Sequence, residues 1–287
     1  MLGDGIHTAV EGSHAVDLSI SVVTYAPDLA ILRRTVESLR RSVAKAAAQG
    51  LLNRVQLWLV DHGPGSAWYK PLSTLLQAEW IDQYQILSSG GNDGYGTGHN
   101  RAVVYARAPY HLILNPDVVL DEEAISQAIH YLNENPGVGL VTPKAFWPSG
   151  ERQYLCKRYP TLWDLLLRGF APCFIRRSCK RRLGHYELRG ITEEQIVRGI
   201  PIASGCFMFL RRAAFDAAGG FSPQFFLYFE DFDLSLKLRQ SGWEMAYLPS
   251  AVITHYGGRA AKKGWKHIGM FTSSAILFFN LHGWRLY

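Results

Sequence analysis

Tyr110-His111-Leu112-Ile113-Leu114-Asn115-Pro116-Asp117-Val118 is an apolar run of strand length that stops abruptly at two polar side chains, Asn115 and Asp117. In an α/β protein, a carboxylate at the carboxyl end of a buried strand stands where ligands bind. A spacing of two puts both side chains on one face of an extended chain, one suited to a ribose hydroxyl and the other to a hard divalent cation bridging phosphates. That pairing suits a nucleoside diphosphate. The plain alternative is a strand followed by an ordinary Asn-Pro-Asp turn, since all three residue types favour turns for local reasons.

Upstream, Leu18 to Tyr25 reads as a buried strand, and residues 28–48 carry helical spacing (Leu29, Leu32, Val36, Leu39, Val43) behind the start signal Pro27-Asp28. Gln56 to Val60 reads as a second strand ending at Asp61. A helix within 66–80, a strand near Tyr84 to Leu87, a glycine-rich turn and a helix over about 97–107 lead to the 110–114 strand. Strands alternating with helices predict a parallel sheet with right-handed crossovers. Downstream, 121–134 reads as a helix, 138–145 as a strand, Ile202 to Leu210 as a strand and Glu230 to Gln240 as a helix with an acidic first turn. The basic, aromatic-bearing insertion 156–199 has no clear period. The expected organisation is a leader (1–17), a half of alternating strands and helices (18–118), a less regular half of the same domain (119–264) with the insertion 156–199, and an aromatic amphipathic tail (265–287).

The 287 residues are 48% hydrophobic and 13% aromatic, a globular composition with room for a large core. The four cysteines, Cys156, Cys173, Cys179 and Cys206, form no CxxC pair, and no secretory signal is evident, so they read as reduced thiols of a cytoplasmic protein. No run of about 18 apolar residues exists to cross a membrane. The net charge of +6 is local: Arg176, Arg177, Lys180, Arg181 and Arg182 crowd one segment, and Arg259, Lys262, Lys263 and Lys266 another. Such runs are usually solvated faces.

Polar residues recur at successive strand ends: Thr24-Tyr25, Asp61-His62, Asn92-Asp93, Asn115 and Asp117. Strand ends of one parallel sheet face a common crevice, so their convergence points to a nucleotide site. The segment from Gly90 to Asn100 lets backbone approach a ligand beside a helix start, yet it is neither a dinucleotide fingerprint nor a P-loop. Glu230, Asp231 and Asp233 place three carboxylates at a helix start, either as caps or as a base for an attacking hydroxyl. His255 ends a short apolar run; with Asp117 it makes a mixed oxygen and nitrogen site that Mn2+ tolerates better than Mg2+. No zinc pattern, Ser/His/Asp grouping or RNA-binding signature accompanies them, and nucleic acid is not an expected partner.

The ordered motifs Ser19-Ile-Ser-Val-Val-Thr-Tyr25, Leu59-Val-Asp61, Asn92-Asp-Gly-Tyr-Gly-Thr-Gly-His-Asn100, Leu114-Asn-Pro-Asp117, Ala203-Ser-Gly-Cys-Phe-Met208, Phe229-Glu-Asp-Phe-Asp-Leu234 and His255-Tyr-Gly-Gly258 resemble the family 2 glycosyltransferases, in particular their rhamnosyltransferase-like branch. The resemblance spans about residues 18–283. It implies a GT-A fold: α/β, a Rossmann-like, mostly parallel central sheet flanked by helices, with a C-terminal acceptor-binding part. It implies an inverting transfer from a nucleotide-diphosphate sugar, dTDP-rhamnose by preference, with Thr24, Tyr25, Asp61, Asn92, Gly94, Asn100 and Asn115 on the donor nucleotide. Asp117 and His255 match the ligands of a Mg2+ or Mn2+ ion, although Asn115 departs from the family's Asp-x-Asp pattern and weakens that site. Asp231 matches the catalytic base; Gly205, Glu230, Lys262 and Lys263 fall on the side of the diphosphate and acceptor. The implied acceptor is a lipid-linked or lipopolysaccharide glycan at the cytoplasmic face of the inner membrane. The basic insertion and the aromatic tail suit a peripheral membrane contact, and equally a homodimer interface. Other donors in the same fold (UDP-galactofuranose, UDP-glucose, GDP-mannose) and a binding-only homologue are the alternatives. A sugar-1-phosphate nucleotidyltransferase lacks support, because its glycine-rich basic loop is missing around 18–28.

Overall fold

Leu18–Thr24 (β1) is buried along its whole length, as a strand covered on both faces must be. Its side chains alternate between two layers. Leu18, Ile20 and Val22 join one apolar core, and Ser19 and Ser21 face the other way. The computed structural model describes residues 16–64, 67–79, 83–88, 90–169, 171–190, 195–257 and 264–287. Apart from Val16 and Asp17, the expected leader lies outside them, as do Lys262 and Lys263.

After β1 the chain forms α1 (Leu29–Ala48), β2 (Val55–Asp61), α2 (Tyr69–Glu79), β3 (Gln83–Ser88), α3 (Tyr95–Tyr105), β4 (Tyr110–Leu114), β5 (Val118–Leu120), α4 (Ala124–Glu134) and β6 (Val138–Phe146). There follow β7 (Arg152–Gln153), β8 (Cys156–Lys157), α5 (Leu162–Gly169), α6 (Cys173–Ser178), α7 (Lys180–Tyr186), β9 (Val197–Arg198), β10 (Ile202–Ala203), β11 (Phe207–Arg211), α8 (Arg212–Ala217), α9 (Glu230–Gln240), β12 (Glu244–His255) and α10 (Trp265–His282). The start signal at Asp28 works as read: its carboxylate accepts from the N–H groups of Ala30 and Ile31 at 3.0 and 3.2 Å.

One sheet runs in the order β3-β2-β1-β4-β11-β6-β12-β5. β1 is parallel to β2 and β4, and β2 to β3. β11 is antiparallel to β4 and β6, and β12 is parallel to β6. Helices α1, α2 and α4 cover one face; α3, α8 and α9 cover the other. Period-two alternation assigns the sides: Leu112, Leu114, Phe207 and Phe209 face the first layer, and Ile113, Met208 and Leu210 the second. The register sets Thr24 opposite Asp61 and Val22 opposite Leu114, so Thr24, Asp61, Asn115 and Asp117 leave the sheet at the same edge.

One expectation changes, and two segments that the sequence left open take a definite form. The strand expected over Ile202 to Leu210 is broken: β10 pairs with β8, β11 enters the main sheet, and Ser204-Gly205-Cys206 turns between them. The insertion acquires structure through non-local bonds. Thr161 and Asp164 cap α5 reciprocally, and Arg182 donates to Asp164 at 2.7 Å and to Thr161 at 2.9 Å. One member of the basic run is therefore a structural tie. The tail forms a helix docked on the domain, with Ala275, Phe278 and Phe279 buried against Leu165, Phe225 and Phe229.

Beneath α3, Ser19 bonds His111 Nδ1 at 2.6 Å, and Ser21 bonds His111 Nε2 at 2.8 Å and His99 Nδ1 at 2.6 Å. Both rings are fully buried. Burial pushes His111 from 6.5 down to about 3 and His99 well down too. A neutral native histidine binds fewer protons than the unfolded chain below about pH 6.5, so its stabilising contribution, complete above that value, is lost as pH falls toward 3. Glu230, raised by burial, works in the opposite sense between its own two values, so the histidine effect must be read by difference. Wild type should lose about 2 kcal/mol more than His111→Gln between pH 7 and pH 5. Urea titrations at the two pH values check this, and equal losses would remove His111 as the source.

Candidate active site

The broken strand organises the site. Gly205 N–H donates to Asp231 Oδ2 at 2.8 Å, while Asn115 N–H donates to the Cys206 carbonyl at 2.9 Å. Two consecutive residues thus tie the start of α9 to the end of β4. Tyr95 closes the same turn, its hydroxyl donating to the Gly205 carbonyl at 2.7 Å. A β-carbon on Gly205 would stand 3.1 Å from that of Asp231, so the close approach favours glycine.

Asp231 is half-buried and held through both oxygens, the second by its neighbour Phe232 N–H at 3.0 Å. Burial raises its pKa; the bonds from Gly205 and Phe232 and the charge of Lys157 oppose that rise. Glu230 has only its own backbone N–H to oppose the rise. It is buried, its Oε2 has no hydrogen-bond partner, and burial together with the Asp231 charge pushes it up to about 8. At neutral pH the pair therefore carries its negative charge on Asp231. Asp233 is occupied structurally, accepting from Ser222 at 2.5 Å and from His282 at the end of α10 at 2.9 Å.

The turn that presents these carboxylates is strained. Tyr228 and Phe229 both have left-handed backbone, at φ 72° and 65°, a conformation that costs of order 1–3 kcal/mol for each such residue. Aromatic packing holds it in place: the Phe229 ring lies 5.2 Å from Phe232, 5.2 Å from Phe271 and 5.3 Å from Phe278. The C-terminal helix thus buttresses the carboxylate turn.

On the other side of Gly205-Cys206, β5 pairs with the end of β12 and brings His255 to Asp117. His255 Nε2 lies 3.4 Å from Asp117 Oδ1 and 3.4 Å from Asn115 Nδ2, and Nδ1 bonds Gln153 Oε1 at 3.0 Å. With Nδ1 donating to Gln153, Nε2 is the ring nitrogen turned toward Asp117, as the nitrogen of a metal-bound imidazole would be. Asp117 Oδ1 is buried without a hydrogen-bond partner. Burial opposes protonation of His255, but the negative potential of Cys206 and Asp117 outweighs it and lifts the ring to about 10. This is an electron-rich pair that holds a proton or a cation. Among the described residues no group of three or more His, Cys, Asp and Glu side chains is placed to hold a metal, and an ion held by this pair would need its other ligands from phosphate oxygens and water.

The remaining expected residues fall into two groups. Thr24 is buried beneath the sheet edge, bonding the Val60 carbonyl at 3.4 Å, and Tyr25 projects from it, 60% exposed. Asp61 accepts from Gly63 N–H at 2.8 Å and shapes the turn after β2. The other group builds walls. Asn92 Oδ1 bonds His62 Nδ1 at 3.1 Å and accepts from Gly94 N–H at 3.0 Å. Gly94, at φ 97°, has no space for a β-carbon, which would lie 2.4 Å from the Phe226 carbonyl oxygen. Asn100 binds both backbone groups of Phe221, donating at 2.8 Å and accepting at 3.0 Å. Gln153, Tyr95, Cys206 and Lys157 were not anticipated as site residues. Tyr95 and Cys206 lie inside motifs singled out from the sequence; Gln153 and Lys157 carry no local signal.

The sequence family described as glycosyltransferase-like family 2 matches residues 2–268. Relatives include an N-acetylglucosaminyl-diphospho-decaprenol L-rhamnosyltransferase of Mycobacterium tuberculosis, 28% identical over 183 residues that cover 60% of this chain and 58% of the relative. Rhamnosyltransferase WbbL of Escherichia coli is 27% identical over 177 residues, covering 58% of this chain and 62% of the relative. The matches thus span less than two thirds of either relative. Among solved structures, GalNAc-T7 with UDP, GalNAc and Mn2+ superposes with a TM-score of 0.61 at 15% identity, over 84% of this chain and 43% of that one. This last likeness concerns the fold, which is the GT-A arrangement expected from the sequence.

Proposed function

The chain belongs to the family 2 glycosyltransferases, and from that premise we propose that it transfers L-rhamnose from dTDP-rhamnose, with inversion, to a hydroxyl of a lipid-linked bacterial cell-surface glycan. One observation carries the reading. The Gly205-Cys206 turn joins a carboxylate suited to deprotonate a hydroxyl, Asp231, to a pair suited to a diphosphate-bound cation, Asp117 and His255. In the transfer, the acceptor oxygen attacks the anomeric carbon as its proton passes to Asp231, and the bond from that carbon to the diphosphate oxygen breaks. Asp117 and His255 would hold a Mg2+ or Mn2+ ion, which would supply positive charge to the diphosphate. Tyr25 and Asp61 border the nucleotide, Thr24 supports the strand end beneath them, and Asn92, Gly94 and Asn100 shape the wall of the crevice. A single displacement inverts the configuration.

Work at the cytoplasmic face of a membrane follows from a lipid-linked acceptor. Contact through the insertion and the tail is the proposed mode; no helix among the described residues is long and apolar enough to cross a membrane.

Thermal unfolding with dTDP, UDP, GDP and CMP, each with Mn2+ or chelator, tests the donor. A ligand at a hundred times its Kd adds about 2.7 kcal/mol to the folded state. Stabilisation by dTDP that requires Mn2+ is expected. A preference for UDP or GDP would replace the sugar with galactofuranose, glucose or mannose, and no response to any nucleotide would sink the donor site.

A further inference from the structure

Helices α5, α6 and α7 and the residues just after α7 border an open hollow of about 500 Å³ lined by Arg168, Arg176, Arg177, Lys180, Arg189 and Glu187. Five cationic groups face one carboxylate, and Glu187 is already engaged by Arg189 at 2.6 Å and Arg168 at 3.4 Å. Arg176, Arg177 and Lys180 have no carboxylate partner among the described residues. Cations gathered in a concave site repel one another unless an anion joins them, and arginine forks match phosphate oxygens.

Two further observations say which anion. First, the cavity is wired to the proposed base. Arg158 N–H donates to the Tyr186 carbonyl at 2.8 Å, which ties the end of β8 to α7, and β10, paired with β8, leads into Gly205, whose N–H donates to Asp231 at 2.8 Å. Second, apolar side chains are exposed on the same short helices. α5 exposes Trp163 and Leu166, and α6 exposes Phe174 next to the cavity residue Cys173. The end of the chain is bonded to α5 through Leu162 N–H to the Arg285 carbonyl (2.8 Å) and Trp163 N–H to the Leu286 carbonyl (3.2 Å), bringing exposed Leu286 alongside. An anion site with an oily margin fits an amphiphile better than a free phosphate.

We propose that this cavity binds the diphosphate of a lipid-linked acceptor, with Arg176, Arg177 and Lys180 as its clamp and the margin formed by Trp163, Leu166 and Phe174 receiving the hydrocarbon. The proposal rests on the glycosyltransferase reading for the term acceptor; the anion site stands on the cavity itself. It gives the basic run a task distinct from nucleotide binding, since the clamp lies on helices that contribute nothing to the sheet edge where the donor is placed.

The test is calorimetric titration with geranyl diphosphate, using protein whose donor site is already filled by whichever nucleoside diphosphate stabilises it. Wild type should bind one equivalent, more weakly as salt rises, and Arg176→Ala/Arg177→Ala/Lys180→Ala should bind at least about tenfold more weakly with its thermal response to nucleotide unchanged. Equal binding by the two proteins, or no binding by wild type, would overturn the proposal. Binding to phosphatidylglycerol vesicles that geranyl diphosphate fails to displace would also overturn it, in favour of a general headgroup contact. Loss of every nucleotide response with clamp-dependent geranyl diphosphate binding intact would support the site while removing the glycosyltransferase reading.

Discussion

Asp231→Asn should lower kcat for sugar transfer by about a thousandfold, roughly 4 kcal/mol in the barrier, and leave the Kd for the nucleoside diphosphate within about twofold. The expectation follows from where the charge sits. Asp231 receives an N–H on each oxygen and interacts with the Lys157 charge, whereas Glu230 has a buried oxygen with no partner and is pushed up to about 8. The asparagine keeps one acceptor, so either Gly205 or Phe232 loses its partner, at a cost of about 1–3 kcal/mol in stability. Thermal unfolding must therefore accompany the kinetics, and retained nucleotide stabilisation identifies a folded site. Glu230→Gln is the internal contrast. It mimics the protonated Glu230 of neutral pH and should keep kcat within about fivefold of wild type at pH 7. Normal turnover by Asp231→Asn, measured with the proposed donor and acceptor, would take the base role from Asp231. A thousandfold loss in Glu230→Gln as well would place the charge on the pair rather than on one residue.

The half of the fold built from β1 to β4 was legible because each strand is a short apolar run and each end is marked by a local residue: Asp28 capping α1, Asp61 closing β2, Asn115 and Asp117 leaving β4. The remainder depends on bonds that no local pattern carries. Ile202 to Leu210 is apolar enough for one strand, and only the bonds of Ser204 to Leu155, Gly205 to Asp231 and Asn115 to Cys206 break it. Strand β12 is interrupted in sequence by Pro249-Ser250, and its pairing with β6 shifts register between Leu248 and Val252, so from the sequence His255 ended only a short run. Lys157 reads as a surface residue. Its burial beside Tyr186 comes from β10 and α7, both distant along the chain. The insertion escaped for the same reason, its short helices depending on Arg182 reaching back to the cap at Thr161 and Asp164. The sequence therefore pointed to Asp117, His255 and Asp231 one at a time, and tertiary contacts supply the turn that joins them.

Asp117→Ala should remove most of the Mn2+-dependent part of nucleoside diphosphate binding, weakening it by at least about tenfold, or 1.4 kcal/mol, while binding in chelator stays as in wild type. The buried Asp117 Oδ1 has no hydrogen bond within ordinary distance and faces His255 Nε2 at 3.4 Å, so it is stabilised by a positive charge, either the proton His255 carries or a cation that takes that proton's place. Asn115 brings an amide where a second carboxylate would add charge, which leaves Asp117 as the one carboxylate of the Asn115-Pro116-Asp117 segment beside His255 and makes its loss severe. The substitution should not unfold the protein, because Asp117 is attached to the fold chiefly by its backbone, whose carbonyl accepts from Tyr256 N–H at 2.9 Å. Gln153→Leu offers a graded version. It leaves both ligands in place and removes the acceptor that orients the His255 ring at 3.0 Å, and a change of this kind costs roughly ten- to a hundredfold in metal affinity where the imidazole is a ligand. Titration of Mn2+ into the nucleotide-bound protein, followed by the thermal shift, reads both variants. A graded loss through Gln153→Leu and Asp117→Ala supports a cation held by Asp117 and His255, because an ion bound by the diphosphate alone would ignore Gln153. Wild-type Mn2+ dependence in Asp117→Ala would move the ion elsewhere and leave the Asp117–His255 pair a structural contact.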